Sequence, residues 1–271
     1  MDARLQRRVQ RYGWDLAAGR YDECWRGPLA AAQAELLRQA EIHAGDHVLD
    51  VACGTGLVSL RAAEQVGHDG RVTGVDLSGR MVEEANQRAR ADGHGHVRFL
   101  RMDAEDLEVE DASVDVALCA LGLMYVPDPE RAIAQMHRVL KPGGRIVLAL
   151  WGEQSRCGWS ALFPIVDAEV DSDVCPLFFR LGTGDALAHA CASASFRDIS
   201  TTRLDASFSH STAEEAVDAA FRAGPVALAW SRLDEAARRR AQRSYLDSLS
   251  PYRMSGGYRI PSEFVFLKAR K

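Results

Sequence analysis

A glycine turn and two carboxylates in the first third of the chain are the residues best placed to bind a ligand. Residues 48–56 are Val-Leu-Asp-Val-Ala-Cys-Gly-Thr-Gly, an apolar strand that passes through a turn directly into a helix. Glycine has no Cβ atom, so such a turn lets the backbone approach a ligand closely. Asp50 lies within this strand, and Asp76 ends the next one. In a parallel sheet, a carboxylate in the position of Asp76 can accept hydrogen bonds from both hydroxyl groups of a ribose.

The segments around this turn alternate between predicted strands and predicted helices. The helix over residues 57–66 is apolar on nearly all sides, as is typical of a helix packed on a sheet. Strands that alternate with helices of about 10–15 residues indicate a parallel sheet covered on both faces. Further helices are predicted after Ser78 and from Pro129, and further strands at 71–76, 97–102, 114–119 and 145–150.

The second half of the chain is less regular. Helices are predicted at 159–170, 185–194, 211–224 and 233–249, and strands at 199–208 and 258–267. No linker is long or polar enough to separate two domains, so we predict one domain over residues 1–271. Its parts are a helical N-terminal extension (1–44), a ligand-binding core (45–151) and two insertions that cap the sheet (151–182 and 210–255).

The overall composition argues against several classes of function. The formal net charge of −5 gives no basic excess for sequence-independent nucleic-acid binding. No apolar run approaches the ~18 residues that a transmembrane helix needs, and the N-terminus lacks the apolar stretch of a signal peptide. The six cysteines are scattered singly, without a Cys-x-x-Cys pair or zinc-finger spacing. We therefore expect reduced thiols, no metal site, no membrane span and a cytoplasmic location.

Four further segments, taken with the glycine turn, resemble the class I S-adenosylmethionine-dependent methyltransferases. The match is to the subgroup that includes the ubiquinone and menaquinone biosynthesis (type 11) enzymes. The segments are Phe-Leu-Arg-Met-Asp-Ala-Glu at 99–105, Ser-Val-Asp-Val-Ala-Leu-Cys-Ala at 113–120, Leu-Gly-Leu-Met-Tyr-Val-Pro-Asp at 121–128 and Arg-Val-Leu-Lys-Pro-Gly-Gly at 138–144. The resemblance implies an α/β fold with a Rossmann-like, doubly wound sheet of seven strands. Most strands would be parallel, the last antiparallel, and helical insertions would cap the sheet.

The resemblance also implies a binding site for S-adenosylmethionine. In it, the backbone of residues 52–56 faces the methionine half of the cofactor, Asp50 steadies the loop and Asp76 binds the ribose. The adenine lies beside Leu77 and Met81, and its edge is read at Asp103 and Ala104. The backbone carbonyl of Cys119 would accept from the ammonium group. The complete predicted set is Tyr21, Asp50, Ala52, Gly54, Thr55, Gly56, Asp76, Leu77, Met81, Asp103, Ala104, Glu105 and Cys119.

Two other functions compete with methyl transfer. An NAD(P)-dependent dehydrogenase needs a third glycine three positions after the second, where this chain has Ser59, and no Tyr-x-x-x-Lys pair is present. A catalytically inactive relative could act as a binding or scaffold subunit. The intact acids Asp50, Asp76 and Asp103 argue against that reading, because a site without catalysis does not need them.

The methyl acceptor is less well defined by the sequence. The Asn/Asp-Pro-Pro-Tyr signature of amide and base N-methylation is absent, since residues 119–122 are Cys-Ala-Leu-Gly. This favours a small-molecule acceptor, with C-, O-, N- and S-methylation all open and no catalytic residue assigned. Aromatic residues outside the core motifs could line an apolar acceptor pocket. They are Tyr12, Trp14, Trp25, Tyr125, Trp151, Trp159, Phe178 and Phe179, of which Tyr12, Trp14, Tyr125 and Trp151 are the first candidates.

The extension and the insertions are also expected to cover the site. A reactive sulfonium and its acceptor must be enclosed, and residues 45–151 supply only the floor of a crevice. We therefore predict that the insertions 151–182 and 210–255 form a lid over the acceptor site and that residues 12–21 close the opposite side. Residues around 10–25 and 155–180 should then be protected from hydrogen exchange when a ligand binds.

Overall fold

A single sheet forms the centre of the molecule in a computed structural model that describes residues 3–170, 175 and 177–271. The described residues form eight strands: β1 His47–Val51, β2 Arg71–Asp76, β3 Val97–Arg101, β4 Val114–Ala120, β5 Leu140–Trp151, β6 Arg197–His210, β7 Arg253–Met254 and β8 Gly257–Arg270. Their order is β3-β2-β1-β4-β5-β8-β6, and the short β7 pairs with β8. Strand β8 is antiparallel to both β5 and β6, whereas β1 to β5 pair in parallel.

Nine α-helices of the described residues surround this sheet. They are α1 Ala3–Ala40, α2 Leu57–Val66, α3 Gly79–Ala91, α4 Pro129–Val139, α5 Leu162–Asp167, α6 Ala186–Ser193, α7 Ala213–Val217, α8 Ala227–Arg232 and α9 Glu235–Ser248. Within the described residues, no helix combines the length and the apolarity that crossing a membrane requires.

The order of the strands places a crevice at the carboxyl ends of β1 and β4. From β1 the chain moves outward to β2 and β3, then returns to place β4 on the other side of β1. At such a point the loops after two neighbouring strands run in opposite directions, which opens a crevice between them. Ligands of doubly wound sheets bind in this crevice. Every residue of β1 is buried, as expected for a central strand covered on both faces.

The observed sheet confirms the predicted fold class and adds β7 to the seven expected strands. The predicted bounds of α2 and β2 are the observed ones. Ser78 caps α3 as expected, since its hydroxyl oxygen accepts from the Met81 N–H at 3.1 Å.

Two local predictions were wrong. The helix predicted at 159–170 is helical only over Leu162–Asp167, and Trp159 lies in the preceding turn. Its apolar spacing reflects burial, which a turn can supply as well as a helix. Strand β5 begins at Leu140 and not at residue 145, because Leu140 already pairs with Val114 before a register shift.

Candidate functional site

Two adjoining cavities open at the carboxyl ends of the central strands. We call them the loop cavity, lined mainly by loops after β1 to β4, and the cap cavity, lined mainly by α1 and by segments after β5. The empty space within them, part of it open to solvent, is about 760 Å³ and 580 Å³. They meet at four shared residues: Trp14, Tyr21, Leu121 and Tyr125.

Asp76 lies at the centre of the loop cavity. Its Oδ2 accepts from the Gly54 N–H at 2.9 Å and its Oδ1 from the Ser78 N–H at 2.9 Å. Each oxygen of a carboxylate has a second acceptor position, so Asp76 can still accept two hydroxyl groups. Burial raises the pKa of Asp76 to about 6. The carboxylate therefore holds the glycine turn and keeps capacity for a diol such as a ribose.

The two glycines of the turn have different structural roles. Gly54 has φ +55°, and a Cβ atom there would meet only the Tyr21 ring at 4.0 Å, so its open side faces the cavity. Gly56 has φ +84°, and a Cβ atom there would lie 2.8 Å from the Phe99 ring. Gly54 thus permits approach to a ligand, whereas Gly56 permits the close packing of α2 and β3.

Asp50 carries a carboxylate oxygen without a partner. Its Oδ2 accepts from the Ser59 hydroxyl at 2.5 Å, but its buried Oδ1 has no hydrogen bond within the described part of the chain. Burial raises the pKa of Asp50 to about 7. With Thr55 and Gln33 it lines a small recess beside the glycine turn. A cationic group such as an ammonium would satisfy this oxygen.

The far end of the loop cavity is organised by an ion-pair cluster. The Arg7 Nε lies 2.9 Å from Asp103 Oδ2, and the same guanidinium donates to the buried carboxylate of Glu105. Asp103 Oδ1 accepts from the Glu105 N–H at 2.9 Å, and Glu105 Oε1 accepts from the Asp128 N–H at 3.2 Å. Asp103 and Ala104 line the cavity, while Glu105 lies behind them as their support.

Helix α1 crosses the loop cavity and is fixed by two further carboxylates. Asp15 Oδ1 accepts from the Ser78 hydroxyl at 2.6 Å and from the Arg80 N–H at 3.2 Å, at the start of α3. Asp22 accepts from the Thr55 hydroxyl at 2.5 Å and pairs with Arg88. Together with Arg7, these contacts hold α1 over the site at three points.

The cap cavity is an aromatic chamber. Trp151, at the end of β5, lies between the rings of Trp159 and Trp25, with centroid distances of 4.8 and 6.5 Å. The Tyr125 ring is 5.0 Å from Trp14 and 5.5 Å from Phe178, which links the chamber to the shared residues. The lining is completed by Leu29, Leu162, Phe208, His210, Ala219, Ala220, Gly224, Pro225 and Tyr245.

Most predicted site residues converge on these two cavities. The loop cavity is lined by Trp14, Tyr21, Ala52, Gly54, Asp76, Leu77, Met81, Asp103, Ala104 and Tyr125 of the predicted sets. Asp50 and Thr55 line the recess beside the turn. Gly56, Glu105 and Cys119 stand behind the lining, and burial raises the pKa of the Cys119 thiol to about 12.

The predicted acceptor residues divide between the two locations. Trp151 lines the cap cavity, as do Trp25, Trp159 and Phe178. Tyr12 lines neither cavity and is 44% exposed, with the Arg11 guanidinium 5.0 Å above its ring. Residues two apart on a helix point in directions about 200° apart. Because Trp14 faces the site, Tyr12 must face away from it.

Several lining residues were not anticipated from the sequence. Arg7 and Gln10 lie in the predicted N-terminal extension, and nothing in the sequence distinguishes them from neighbouring polar residues. His210 and Tyr245 belong to no motif and reach the cap cavity from the end of β6 and from α9. Only the alternation of polar and apolar residues along β6 could have indicated that the side chain of His210 points inward.

Comparison with known proteins agrees with this geometry. Residues 48–144 match the family model described as a methyltransferase domain. A demethylmenaquinone methyltransferase of Geobacillus kaustophilus (strain HTA426) is 34% identical over 129 residues. That alignment covers 48% of this chain and 55% of the relative, so the chain spans about half the length of the relatives it matches.

Solved structures share the fold at lower identity. Phosphoethanolamine N-methyltransferase 2 of Haemonchus contortus, in complex with S-adenosyl-L-methionine, aligns over 95% of this chain and 57% of its own, with a TM-score of 0.62 and 18% identity. The [4+2]-cyclase SpnF aligns over 89% of this chain and 80% of its own, with a TM-score of 0.57 and 24% identity. At these identities the structures show the fold alone. Residues 48–144 are therefore similar to a methyltransferase domain, and the curated relatives that this part of the chain matches are methyltransferases.

Proposed function

We propose that this protein transfers a methyl group from S-adenosylmethionine, held in the loop cavity, to a small molecule held in the cap cavity. The observation that carries the proposal is the junction of the two cavities at Trp14, Tyr21, Leu121 and Tyr125. Asp76 and the apolar residues beside it suit a nucleoside, Asp50 in the adjoining recess suits a cationic tail, and the cap cavity is mostly apolar. The junction is where a methyl group would pass from one to the other.

The residues of the loop cavity fit the cofactor of the family. Asp76 has two acceptor positions left for the ribose hydroxyls, and the orphaned Oδ1 of Asp50 suits the ammonium of the methionine half. Leu77 and Met81 offer apolar contact to the adenine, with Asp103 and Ala104 at its edge. When bound, the cofactor supplies a methyl group on a sulfonium, which a nucleophile can displace.

The other roles of the protein are to position the two reactants and to exclude water from them. The aromatic rings at the junction can stabilise a sulfonium by cation–π attraction and keep water from it. Trp14 lies 5.9 Å from Tyr21 and 5.0 Å from Tyr125, measured between ring centroids. Alignment of two bound reactants accounts for a large share of the rate in such displacements.

Buried carboxylates distinguish an active site from an inactive scaffold. Asp50 and Asp76 have raised pKa values because burial penalises their charged forms. That penalty opposes folding at neutral pH, so these residues bring the empty protein no stability from their charge. They make physical sense as ligand-binding groups, which supports an active enzyme over a scaffold.

The proposal also covers the domain organisation, the location and the class of acceptor. We propose that residues 1–271 act as one methyltransferase domain, since one continuous apolar cluster joins α1, the sheet and the cap segments. The six cysteines are free thiols, which suits the cytoplasm. The absence of charged groups in the cap cavity lining, among the described residues, favours a small molecule over a nucleic acid.

Calorimetry with S-adenosylhomocysteine tests the proposal. The native protein should bind it with a low-micromolar dissociation constant or tighter. Asp76→Ala should weaken binding roughly 5- to 150-fold, because unpaired ribose hydroxyls cost about 1–3 kcal/mol. Asp69→Ala, in an exposed turn, is the matched control and should bind normally. Absence of cofactor heat in the native protein, or saturable micromolar binding of NADH, would refute the assignment.

A further inference from the structure

Arg7 connects helix α1 to the far end of the loop cavity. Residues seven apart on an α-helix lie about 20° apart around its axis. Arg7, Trp14 and Tyr21 therefore share one face of α1, and all three line this cavity. The Arg7 guanidinium pairs with Asp103 and with Glu105, both in the loop after β3. One side chain of the cover thus forms part of the wall beside Asp103.

The carboxylate of Asp103 keeps one oxygen available to a ligand. Its Oδ1 accepts from the Glu105 N–H at 2.9 Å. Its Oδ2 lies 2.9 Å from the Arg7 Nε, but that buried N–H has no hydrogen-bond partner among the described residues. The contact is therefore an attraction between charges that leaves the acceptor positions of Oδ2 unused by these residues. Because the Asp103 side chain is 30% exposed and lines the cavity, a ligand can reach this oxygen.

Glu105 fixes the guanidinium from behind. Its side chain is 2% exposed, and its carboxylate accepts from Arg7 and from the Asp128 N–H, the latter at 3.2 Å. Within the described part of the chain, Arg7 is the one cation that pairs with this buried carboxylate, which needs a counter-charge. Burial opposes the charge of Arg7, but the hydrogen bond and the charge of Glu105 outweigh it and raise the pKa of Arg7 above its ordinary value. The guanidinium is therefore charged and held beside Asp103.

The loop that carries Asp103 is joined to the residue proposed to bind the ribose. The Met102 N–H donates to the backbone carbonyl of Asp76 at 2.9 Å. Leu77 and Met81, proposed to contact the adenine, line the same cavity as Asp103. A purine bound between these groups would present one edge to the free oxygen of Asp103.

We infer that Arg7 is a positioning residue for recognition of the nucleobase: it holds the Asp103 carboxylate charged and directed into the loop cavity, so that the site prefers an amino purine to an oxo purine. This inference rests on the proposed function, because it concerns the base of the cofactor. A carboxylate accepts a hydrogen bond from an amino group, whereas it repels a carbonyl oxygen at the same position. Because Arg7 belongs to α1, the preference depends on this helix being in place over the site.

Two compounds that differ at one position of the base test this preference. S-adenosylhomocysteine carries a 6-amino group, and S-inosylhomocysteine carries a 6-oxo group. Calorimetry on the native protein should show about 30-fold tighter binding of the adenine compound, because hydrogen bonds to charged groups are among the strongest in proteins. The readout is the ratio of the two affinities, since partial unfolding or a loosened helix lowers both affinities together.

Variants of Arg7 then show whether it acts through Asp103. Arg7→Gln should lower the affinity ratio about tenfold, whereas Arg7→Lys, which keeps the charge, should stay within about threefold of the native ratio. In the Asp103→Asn background, Arg7→Gln should change the ratio by less than about twofold, because no carboxylate is left to position. Arg8→Gln is the matched control, since Arg8 is exposed on the same helix, and it should keep the native ratio.

A second variant keeps the test valid if the first is unstable. Arg7→Gln leaves the buried Glu105 carboxylate without its cation, which opposes folding. The double variant Arg7→Gln/Glu105→Gln removes both charges, and its affinity ratio should be as low as that of Arg7→Gln. A native ratio in the double variant would mean that Arg7 serves only to neutralise Glu105, and would overturn the inference.

The other outcomes separate this inference from the proposed function. If the native protein binds both compounds equally, or if Arg7→Gln weakens both by the same factor, the inference is overturned and the proposed function stands. A tenfold effect of Arg7→Gln in the Asp103→Asn background overturns it as well, because Arg7 would then act without Asp103. If S-adenosylhomocysteine itself does not bind to the native protein, the proposed function fails.

Discussion

The loop cavity and the cap cavity lie at one edge of the same sheet but are built in opposite ways. The loop cavity uses backbone groups and carboxylates from short loops, almost all within residues 48–144. The cap cavity uses large side chains that are far apart in the sequence, such as Trp25, Trp151 and Phe208. A cofactor shared by a family can be held by local motifs, whereas an acceptor that varies between enzymes is held by segments free to change. If this comparison is right, changes in each cavity should affect different ligands.

We expect the largest effect on cofactor affinity from a substitution in the contact between the loops after β1 and β4, which we call the wall. A Cβ atom at Gly122 would lie 2.3 Å from the Ala52 Cβ, so Gly122→Ala must push the two loops apart. We expect S-adenosylhomocysteine affinity to fall about 100-fold, which corresponds to about 2.7 kcal/mol. Gly95→Ala, where a Cβ meets nothing within 4 Å, is the control. Equal affinities of the two variants by calorimetry would show that this wall does not shape the cofactor site.

A second prediction concerns pH. Asp76 accepts hydrogen bonds best as a carboxylate, and its pKa in the empty protein is raised to about 6. Protonation below that value removes acceptor capacity, so cofactor affinity should fall as the pH is lowered from 7.5 to 5, by about tenfold. Binding of an uncharged aromatic compound in the cap cavity should change much less over the same range. An S-adenosylhomocysteine affinity that is flat with pH would contradict the role of Asp76.

The third prediction separates binding from stability. The pKa of Asp50 is raised from its ordinary value to about 7, so the folded state favours the protonated form. Its contribution to the free energy of unfolding therefore declines as the pH rises from about 4 to 7. At pH 8, Asp50→Asn should stabilise the empty protein by about 1–3 kcal/mol while weakening cofactor binding. Thermal unfolding with and without cofactor, against the exposed Glu64→Gln as control, measures both effects. A lower stability of the empty Asp50→Asn protein would contradict the claim that burial of the Asp50 carboxylate opposes folding.

The smallest expected effect is on the mobility of the segments that cover the site. Helix α1 is held over the loop cavity through Arg7, Asp15 and Asp22, so it must loosen for the cofactor to enter. Hydrogen exchange with S-adenosylhomocysteine should show about tenfold greater protection in residues 10–25 and a smaller gain in residues 155–180. Protection confined to the loops at Gly54 and Asp76 would mean that the predicted lid is a fixed wall.

The sequence was most informative where structure is set by local spacing. The glycine turn, the acids at strand ends and the cap at Ser78 depend on neighbours a few residues away, so their placement could be anticipated. The aromatic residues were foreseen as a group, but periodicity alone does not reveal which face of a helix meets the site. This is why Tyr12 and Trp14 were both expected there and only Trp14 lines the cavities.

The polar residues of the cap cavity could not be anticipated for a different reason. His210 reaches the cavity because β6 contacts α1, and Tyr245 reaches it because α9 contacts α5 and α7. The contact between α1 and β6 joins segments separated by more than a hundred residues. A local pattern can indicate that such a side chain points inward, but not which cavity it reaches.

A crystal structure with S-adenosylhomocysteine bound tests the central claim most directly. We expect the ribose hydroxyls within hydrogen-bond distance of the Asp76 carboxylate and the adenine beside Leu77. The sulfur should point at the junction formed by Trp14, Tyr21, Leu121 and Tyr125. The cap cavity should remain open beyond the sulfur, towards Trp151. A ligand whose ribose lies away from Asp76, or whose homocysteine tail fills the cap cavity, would contradict the division of the site into cofactor and acceptor cavities.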